Sequence, residues 1–202
     1  MKKIFVIASM IIAIISGNFE AKGQDGVDNK RFAIKTNFLY DASATINAGV
    51  EFSLSPSWSF DLSGNWNSWS TSGKSRWKHW LVQPEARYWF CDVLANHFVG
   101  FHLLGQQFNF GGIDADFKFL GTDFSKLKDH RYQGYSVGAG LAYGYAFVLG
   151  QHWNLELELG AGYVYSWYDE YDCTECATKT GKDLDHHYVG PTKLAVNLVY
   201  LF

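Results

Sequence analysis

Gly134-Tyr135-Ser136-Val137-Gly138-Ala139-Gly140-Leu141-Ala142-Tyr143-Gly144-Tyr145-Ala146-Phe147 alternates without a break. The odd positions are aromatic, aliphatic or alanine, and the even ones are glycine, alanine or serine. Strict period two marks a strand whose two faces meet different surroundings. The next segment repeats it, with Trp153, Leu155, Leu157, Leu159, Ala161 and Tyr163 set against Asn154, Glu156, Glu158, Gly160 and Gly162. Working outward, the same alternation appears over Phe32–Asp41, Ile46–Leu54, Trp58–Ser63, Trp80–Phe90, Val99–Leu104 and Lys193–Phe202. That makes eight segments, and on this register the apolar face carries no charged side chain. Pro84 cannot donate to a ladder, so a bulge or irregularity is expected there.

Composition agrees. Aromatic residues make up 18% of the chain, and 20 glycines stand against 3 prolines, a balance that suits aromatic-rich strands. No internal stretch is apolar for long enough to form a membrane helix. The formal net charge of −3 gives no reason to expect nucleic acid as a partner.

Alternation alone does not say which face points outward, and a soluble lipocalin-like barrel has the same period. Four features favour a membrane barrel. The last strand ends on Tyr200 and Phe202, like the signal read by outer-membrane assembly machinery. The polar face is rich in small residues, as a narrow lumen requires. Aromatics such as Trp58, Trp66, Tyr88, Trp153 and Tyr163 gather near strand ends. Connections alternate between short (55–57, 91–96, 149–152) and long (67–78, 109–131, 168–188), apart from a short one near Asp41–Thr45. The expected fold is an all-β, eight-stranded antiparallel up-and-down transmembrane β-barrel of the outer-membrane type.

The N-terminus fits export. Lys2 and Lys3 precede the apolar run Ile4–Ile15, and Ala21-Lys22-Gly23 offers small residues for a peptidase. Residues 1–23 are expected to be a signal peptide cleaved before Gln24, leaving 24–202 as one barrel domain. The alternative is a retained anchor, for which the apolar run is short.

The polar face holds Lys35, Glu51, Asp61, Glu85, Arg87, Glu156, Glu158 and Lys193. Neighbouring strands offer Lys35 to Glu51 and Arg87 to Asp61, while Lys193 faces acids on the seventh segment. An eight-stranded barrel is filled by side chains, and buried charges persist only when paired. A plugged ionic lumen is therefore expected, with a proton or ion pathway as the alternative. Acids exceed bases, which leaves room for protonated carboxylates.

Cys173 and Cys176 lie in the last long connection, ahead of His186 and His187. In an exported chain a local disulfide is the expected reading, a free pair or a zinc site the alternatives. Cys91 is left over. Phe117, Leu120, Phe124 and Leu127 stand at roughly helical spacing within 113–131, so a short amphipathic helix or a rim-packed loop is expected. Asp185-His186-His187 with Ser166 is the only hydrolase-like material, and its composition makes no motif. No catalytic residue, metal or cofactor is assigned.

Several stretches are distinctive together: Lys35-Thr36-Asn37-Phe38-Leu39-Tyr40-Asp41, Trp77 through Cys91, His102-Leu103-Leu104-Gly105, Gly111-Gly112-Ile113, Arg131-Tyr132-Gln133-Gly134 and Gly190-Pro191-Thr192-Lys193. They resemble a family of Bacteroidetes proteins catalogued as domain of unknown function 3575. The resemblance implies an outer-membrane-type barrel and, for some members, association with fimbrial or envelope gene clusters. It offers no catalytic residues. The expected function is a non-enzymatic envelope role through the outer loops. Outer-membrane lipid, the barrel assembly machinery and an envelope or fimbrial protein are the expected partners. A lipid-modifying enzyme at the outer rim and a narrow pore are the alternatives.

Overall fold

A computed structural model describes residues 31–68, 70–71, 75–113, 118–119, 122–123, 128, 130–173 and 178–202. The strands are β1 (Phe32–Asn37), β2 (Ile46–Ser55), β3 (Trp58–Asn67), β4 (Ser70–Thr71), β5 (Ser75–Trp89), β6 (Asn96–Gly111), β7 (Lys118–Phe119), β8 (Thr122–Asp123), β9 (Arg131–Val148), β10 (Trp153–Tyr171) and β11 (Lys179–Leu201). One short helix, α1 (Phe38–Ala42), follows β1. No helix among the described residues is long and apolar enough to cross a membrane. The signal peptide expected at 1–23, with cleavage before Gln24, lies outside the described residues.

Eight main strands form one antiparallel sheet in the order β3-β2-β1-β11-β10-β9-β6-β5, and β5 returns to pair with β3. The sheet is thus ring-like, with each of the eight alternating segments supplying one strand. Closing a sheet on itself removes the unpaired edges that an open one exposes. β4 pairs with the start of β5, and β7 with β8.

The alternation sorts residues by face. Outward stand Ile34, Phe52, Phe60, Leu62, Val82, Phe101, Leu141, Leu157, Leu159 and Leu194, all well exposed. Inward stand Lys35, Glu51, Asp61, Glu85, Arg87, His102, Glu156 and Glu158, each at most 4% exposed. At the short-turn end an apolar floor of Ala33, Trp89, Leu94, Phe98, Ala146, Val199 and Leu201 closes the interior. Leu94 reaches it from the β5–β6 turn with a positive φ of 66°, held by its carbonyl accepting from Asn154 Nδ2 at 2.6 Å. Nearer the other end, Leu81, Leu104 and Val164 make a second, smaller apolar layer.

Several expectations are corrected. The first strand stops at Asn37, not Asp41, because the Asn37 side chain accepts from the Leu39 amide and caps α1. The long connections are shorter than expected: β10 and β11 stay paired through Tyr171↔Lys179, so most of 168–188 is strand. At Pro84 the expected irregularity takes the form of a gap, not a bulge: β3 and β5 keep register through Leu62↔Pro84, while the β5–β6 ladder is interrupted at Gln83 and Pro84. A bulge occurs instead on β11, where Gly160↔Lys193 is followed by Ala161↔Pro191 and Thr192 is the extra residue. In 113–131 the backbone of β7 and β8 forms a strand pair where a helix was one expectation. Phe117, Leu120, Phe124 and Leu127 lie outside the described residues.

Candidate functional site

The middle of the ring is an ionic cluster, and the sequence of β9 makes room for it. Its inward positions run Gly138, Gly140, Ala142, Gly144 and Ala146. With so little side chain on that wall, long residues from the opposite walls can cross the lumen. A Cβ at Gly140 would sit 2.7 Å from His102 Nε2, and one at Gly144 would overlap the Phe98 ring.

Arg87, fully buried on β5, is the hub. Its Nε donates to Glu85 at 2.6 Å, Nη1 to Glu51 at 2.8 Å and Glu156 at 3.0 Å, and Nη2 to Glu158 at 2.7 Å. The guanidinium lies 4.4 Å from the Phe98 ring centroid, so a cation–π contact seats it on the floor. Lys35 on β1 contacts Glu51 on β2, Asp61 on β3 at 3.0 Å and Glu156 on β10 at 3.3 Å. Lys193 on β11 contacts Glu85 at 2.7 Å and Glu158 at 3.1 Å. Neutral donors serve the surplus carboxylate oxygens: Ser59 to Glu51, and Asn197 Nδ2 to Glu156 at 2.7 Å.

All eight charged residues picked from the sequence meet in this cluster, so it ties β1, β2, β3, β5, β10 and β11 together. Neighbouring-strand logic supplies Lys35–Glu51, but Arg87 approaches Asp61 no closer than 4.0 Å. The tighter partners of Arg87 are Glu85 on its own strand and, on β2 and β10, Glu51, Glu156 and Glu158. His102 and Thr192 stand in the distinctive family stretches but not among the charged residues expected in the lumen. Thr192, displaced by its bulge, brings Oγ1 within 2.8 Å of His102 Nε2, and its carbonyl accepts from Gln83 Nε2 at 3.1 Å. Bulges re-aim side chains in this way, and no period-two pattern announces one. Above the cluster a polar cavity of about 30 Å³ is lined by Asn37, Tyr40, Asn47, Asp61, Asn65 and Gln83, among others.

The hydrolase-like residues are divided by the sheet. Asp185 and His187 face outward, at 59% and 60% side-chain exposure. Ser166 pairs across strands with His186 on the inner face, where its hydroxyl meets Ser136 at 2.7 Å. Adjacent strand residues point to opposite faces, so Asp185-His186-His187 cannot act with Ser166 as one triad. Cys173 is disulfide-bonded and Cys91 is a free, exposed thiol; Cys176 lies outside the described residues. Among the described residues no group of three or more His, Cys, Asp or Glu is placed to hold a metal ion.

Tyr200 and Phe202 pack edge to face at 4.9 Å, and Phe202 also meets Phe32 at 5.4 Å while its amide donates to the Phe32 carbonyl at 2.9 Å. These contacts join the last strand to the first.

No curated protein matches the chain. The family described as "Protein of unknown function (DUF3575)" matches over residues 8–202. That span takes in every strand of the ring and every residue of the ionic cluster, and the chain belongs to this family.

Proposed function

We propose that this chain is a closed transmembrane β-barrel of the bacterial outer membrane. Its lumen is plugged, and its role is a non-enzymatic one at the cell envelope. The observation that carries this reading is the inverted polarity of the ring. Eight buried charges fill its centre, while its outer face is a continuous belt of Leu, Val, Ile and aromatic side chains. An exposed apolar surface of that extent needs lipid or protein against it. Outward positions between Trp153 and Tyr163, between Trp58 and Trp66 and between Tyr88 and Trp80 hold no Asp, Glu, Lys or Arg. A basic residue there would cost roughly 2–4 kcal/mol at the bilayer midplane.

The size of the belt fits. Trp153 to Tyr163 spans about 33 Å at ~3.3 Å per residue, or about 25 Å in height at a tilt near 40°, the thickness of an outer-membrane apolar band. Aromatics bound it at both ends. Trp58 and Tyr88 (5.3 Å) and Trp153 and Tyr200 (4.9 Å) meet at the short-turn end. At the other end Trp80 Nε1 donates to Gln107, which donates to the Tyr135 hydroxyl at 3.2 Å. In this reading export uses the N-terminal signal, the assembly machinery reads Tyr200 and Phe202, and β9–β11 with the connections at their end offer a surface to an envelope or fimbrial protein. The plug argues against a narrow pore.

The test uses the tryptophans as depth probes. The mature protein should fold into vesicles, migrate anomalously on gels until heated, and be quenched by bromine-labelled acyl chains. Single-tryptophan variants keeping Trp58, Trp66 or Trp153 should be quenched strongly, and one keeping only Trp89, 1% exposed, should not. Recovery as a soluble protein, or equal quenching of all four, would sink the proposal.

A further inference from the structure

Beyond the apolar belt, the outward face of β9, β10 and β11 carries a second tier of rings. On β10 the outward series passes Tyr163 and continues with Tyr165 and Trp167, whereas on β5 the series beyond Trp80 turns to Lys78 and Arg76. Tyr135 stacks on Trp167, with centroids 6.1 Å apart and planes at 24°. His187 packs against Tyr163 at 5.9 Å and Tyr165 at 5.0 Å. The Tyr163 hydroxyl hydrogen-bonds His187 Nδ1. With that nitrogen as acceptor, Nε2 carries the proton and faces Asp185 Oδ2 at 3.4 Å. The rings are therefore fixed, yet Tyr135, Tyr163 and Trp167 stay at least 40% exposed. Beside them β11 pairs with β1 only from Asn197 to Leu201, so Lys179–Lys193 has no second neighbouring strand among the described residues. Such an edge presents backbone donors and acceptors sideways, in the plane of the sheet, apart from the Thr192 carbonyl that Gln83 occupies.

We propose that this shelf binds the uncharged sugar ring of a membrane glycolipid. Flat aromatic faces suit the C–H-rich face of a pyranose, because a ring with a polar rim is apolar in the middle. The imidazole N–H, the phenol oxygens and the Asp185 carboxylate supply both donors and acceptors for hydroxyl groups. Of the residues that contact these rings, Asp185 carries the one formal charge left unpaired by a cation among the described residues, since Asp169, the next outward position on β10, is matched by Lys179 at 2.6 Å. Asp185 therefore disfavours a phosphate head group and favours a neutral one. Trp167 lies four residues past Tyr163, about 13 Å along the strand at ~3.3 Å per residue. At a tilt near 40° that is about 10 Å higher, just beyond the ~5–8 Å of head-group thickness on each side of a bilayer, where sugars project. The inference rests on the membrane reading above, which sets that height.

The test is native mass spectrometry of the mature protein released from phosphatidylcholine bicelles doped with either monoglucosyl-diacylglycerol or phosphatidylglycerol. The wild type should retain the glucosyl lipid over phosphatidylglycerol. Trp167→Ala should lose about tenfold of that retention while keeping heat-modifiable mobility, which shows that the fold is intact. Asp185→Asn should narrow the gap to phosphatidylglycerol. Equal retention by wild type and Trp167→Ala, or no preference between the two lipids in the wild type, overturns this inference alone. Failure of the protein to enter bicelles overturns the membrane reading and this inference with it.

Discussion

Arg87 carries more of the interior than any other side chain, because its donors reach carboxylates on β2, its own strand and β10 at once. Replacing it by alanine would leave Glu85, Glu51, Glu156 and Glu158 buried together without their shared cation. Breaking a buried pair from one side costs about 3–5 kcal/mol. Arg87→Ala should therefore lose at least about 3 kcal/mol in urea unfolding from lipid vesicles; a loss within noise would show that the cluster is not desolvated. Arg87→Lys keeps the charge but cannot fork between walls, so it should recover only part of the loss. The glycines of β9 make the complementary case. A Cβ at Gly144 would overlap Phe98, whose ring is already held against Trp89 with centroids 4.6 Å apart. Overpacking of that kind costs about 1–3 kcal/mol. Gly144→Ala should be destabilising by about that much in the same measurement, while Gly105→Ala, with open space around the added carbon, should be close to neutral.

The β10–β11 hairpin stays paired well past the apolar belt, through Tyr171↔Lys179, and its tip has electrostatics of its own. Asp169 accepts from Lys179 Nζ at 2.6 Å and from the Asp183 amide at 3.1 Å. The Lys179 hydrogen bond first, and the amide second, hold its carboxyl below the ordinary value of 3.8. A depressed carboxylate contributes to stability above its unfolded value and loses that contribution as the pH falls through the folded one. The tip should thus be at full strength above pH 3.8 and loosen only below it. Carbon-detected titration of Asp169 should give a midpoint under 3.8 that moves up in Lys179→Ala; an unchanged midpoint would remove Lys179 as the cause. This hairpin also marks where the sequence stops being legible. Below it, every strand from Trp153 to Tyr163 or Lys193 to Phe202 announces itself, because one face is apolar and the other is not. In the upper hairpin both faces meet water, charged residues occur on each, and register shifts at Tyr168/Glu170 and Glu170/Tyr171 break the period. The strands therefore read as a loop. Helix α1 was hidden for a different reason: the apolar alternation runs on through Phe38 and Tyr40, and only the Asn37 cap ends the strand.

Across the whole molecule, the sorting of residues into two faces follows from period two, so which charges share the lumen could be read from the chain. Which of them touch could not, because contacts across a ring depend on its diameter and on how little β9 puts in the way. Hence Lys35–Glu51 was readable and Arg87–Glu158 was not. The same cross-lumen packing sets up two seals in series. The ionic cluster fills the middle, and Trp89, Phe98, Leu94 and Leu201, none more than 2% exposed, close the short-turn end. Ions crossing the ring would have to displace a paired charge and then an apolar floor, and either step alone is costly. The wild-type protein in planar bilayers should accordingly show no steady current. Arg87→Ala should also stay silent, since losing the hub weakens the first seal and leaves the second intact. Conduction is expected only when the floor is opened as well, for example by combining Arg87→Ala with Phe98→Ala in protein that still shifts on heating. Stepwise currents from the wild type would mean that the lumen is not closed, and currents from Arg87→Ala alone would mean that the floor is not a barrier.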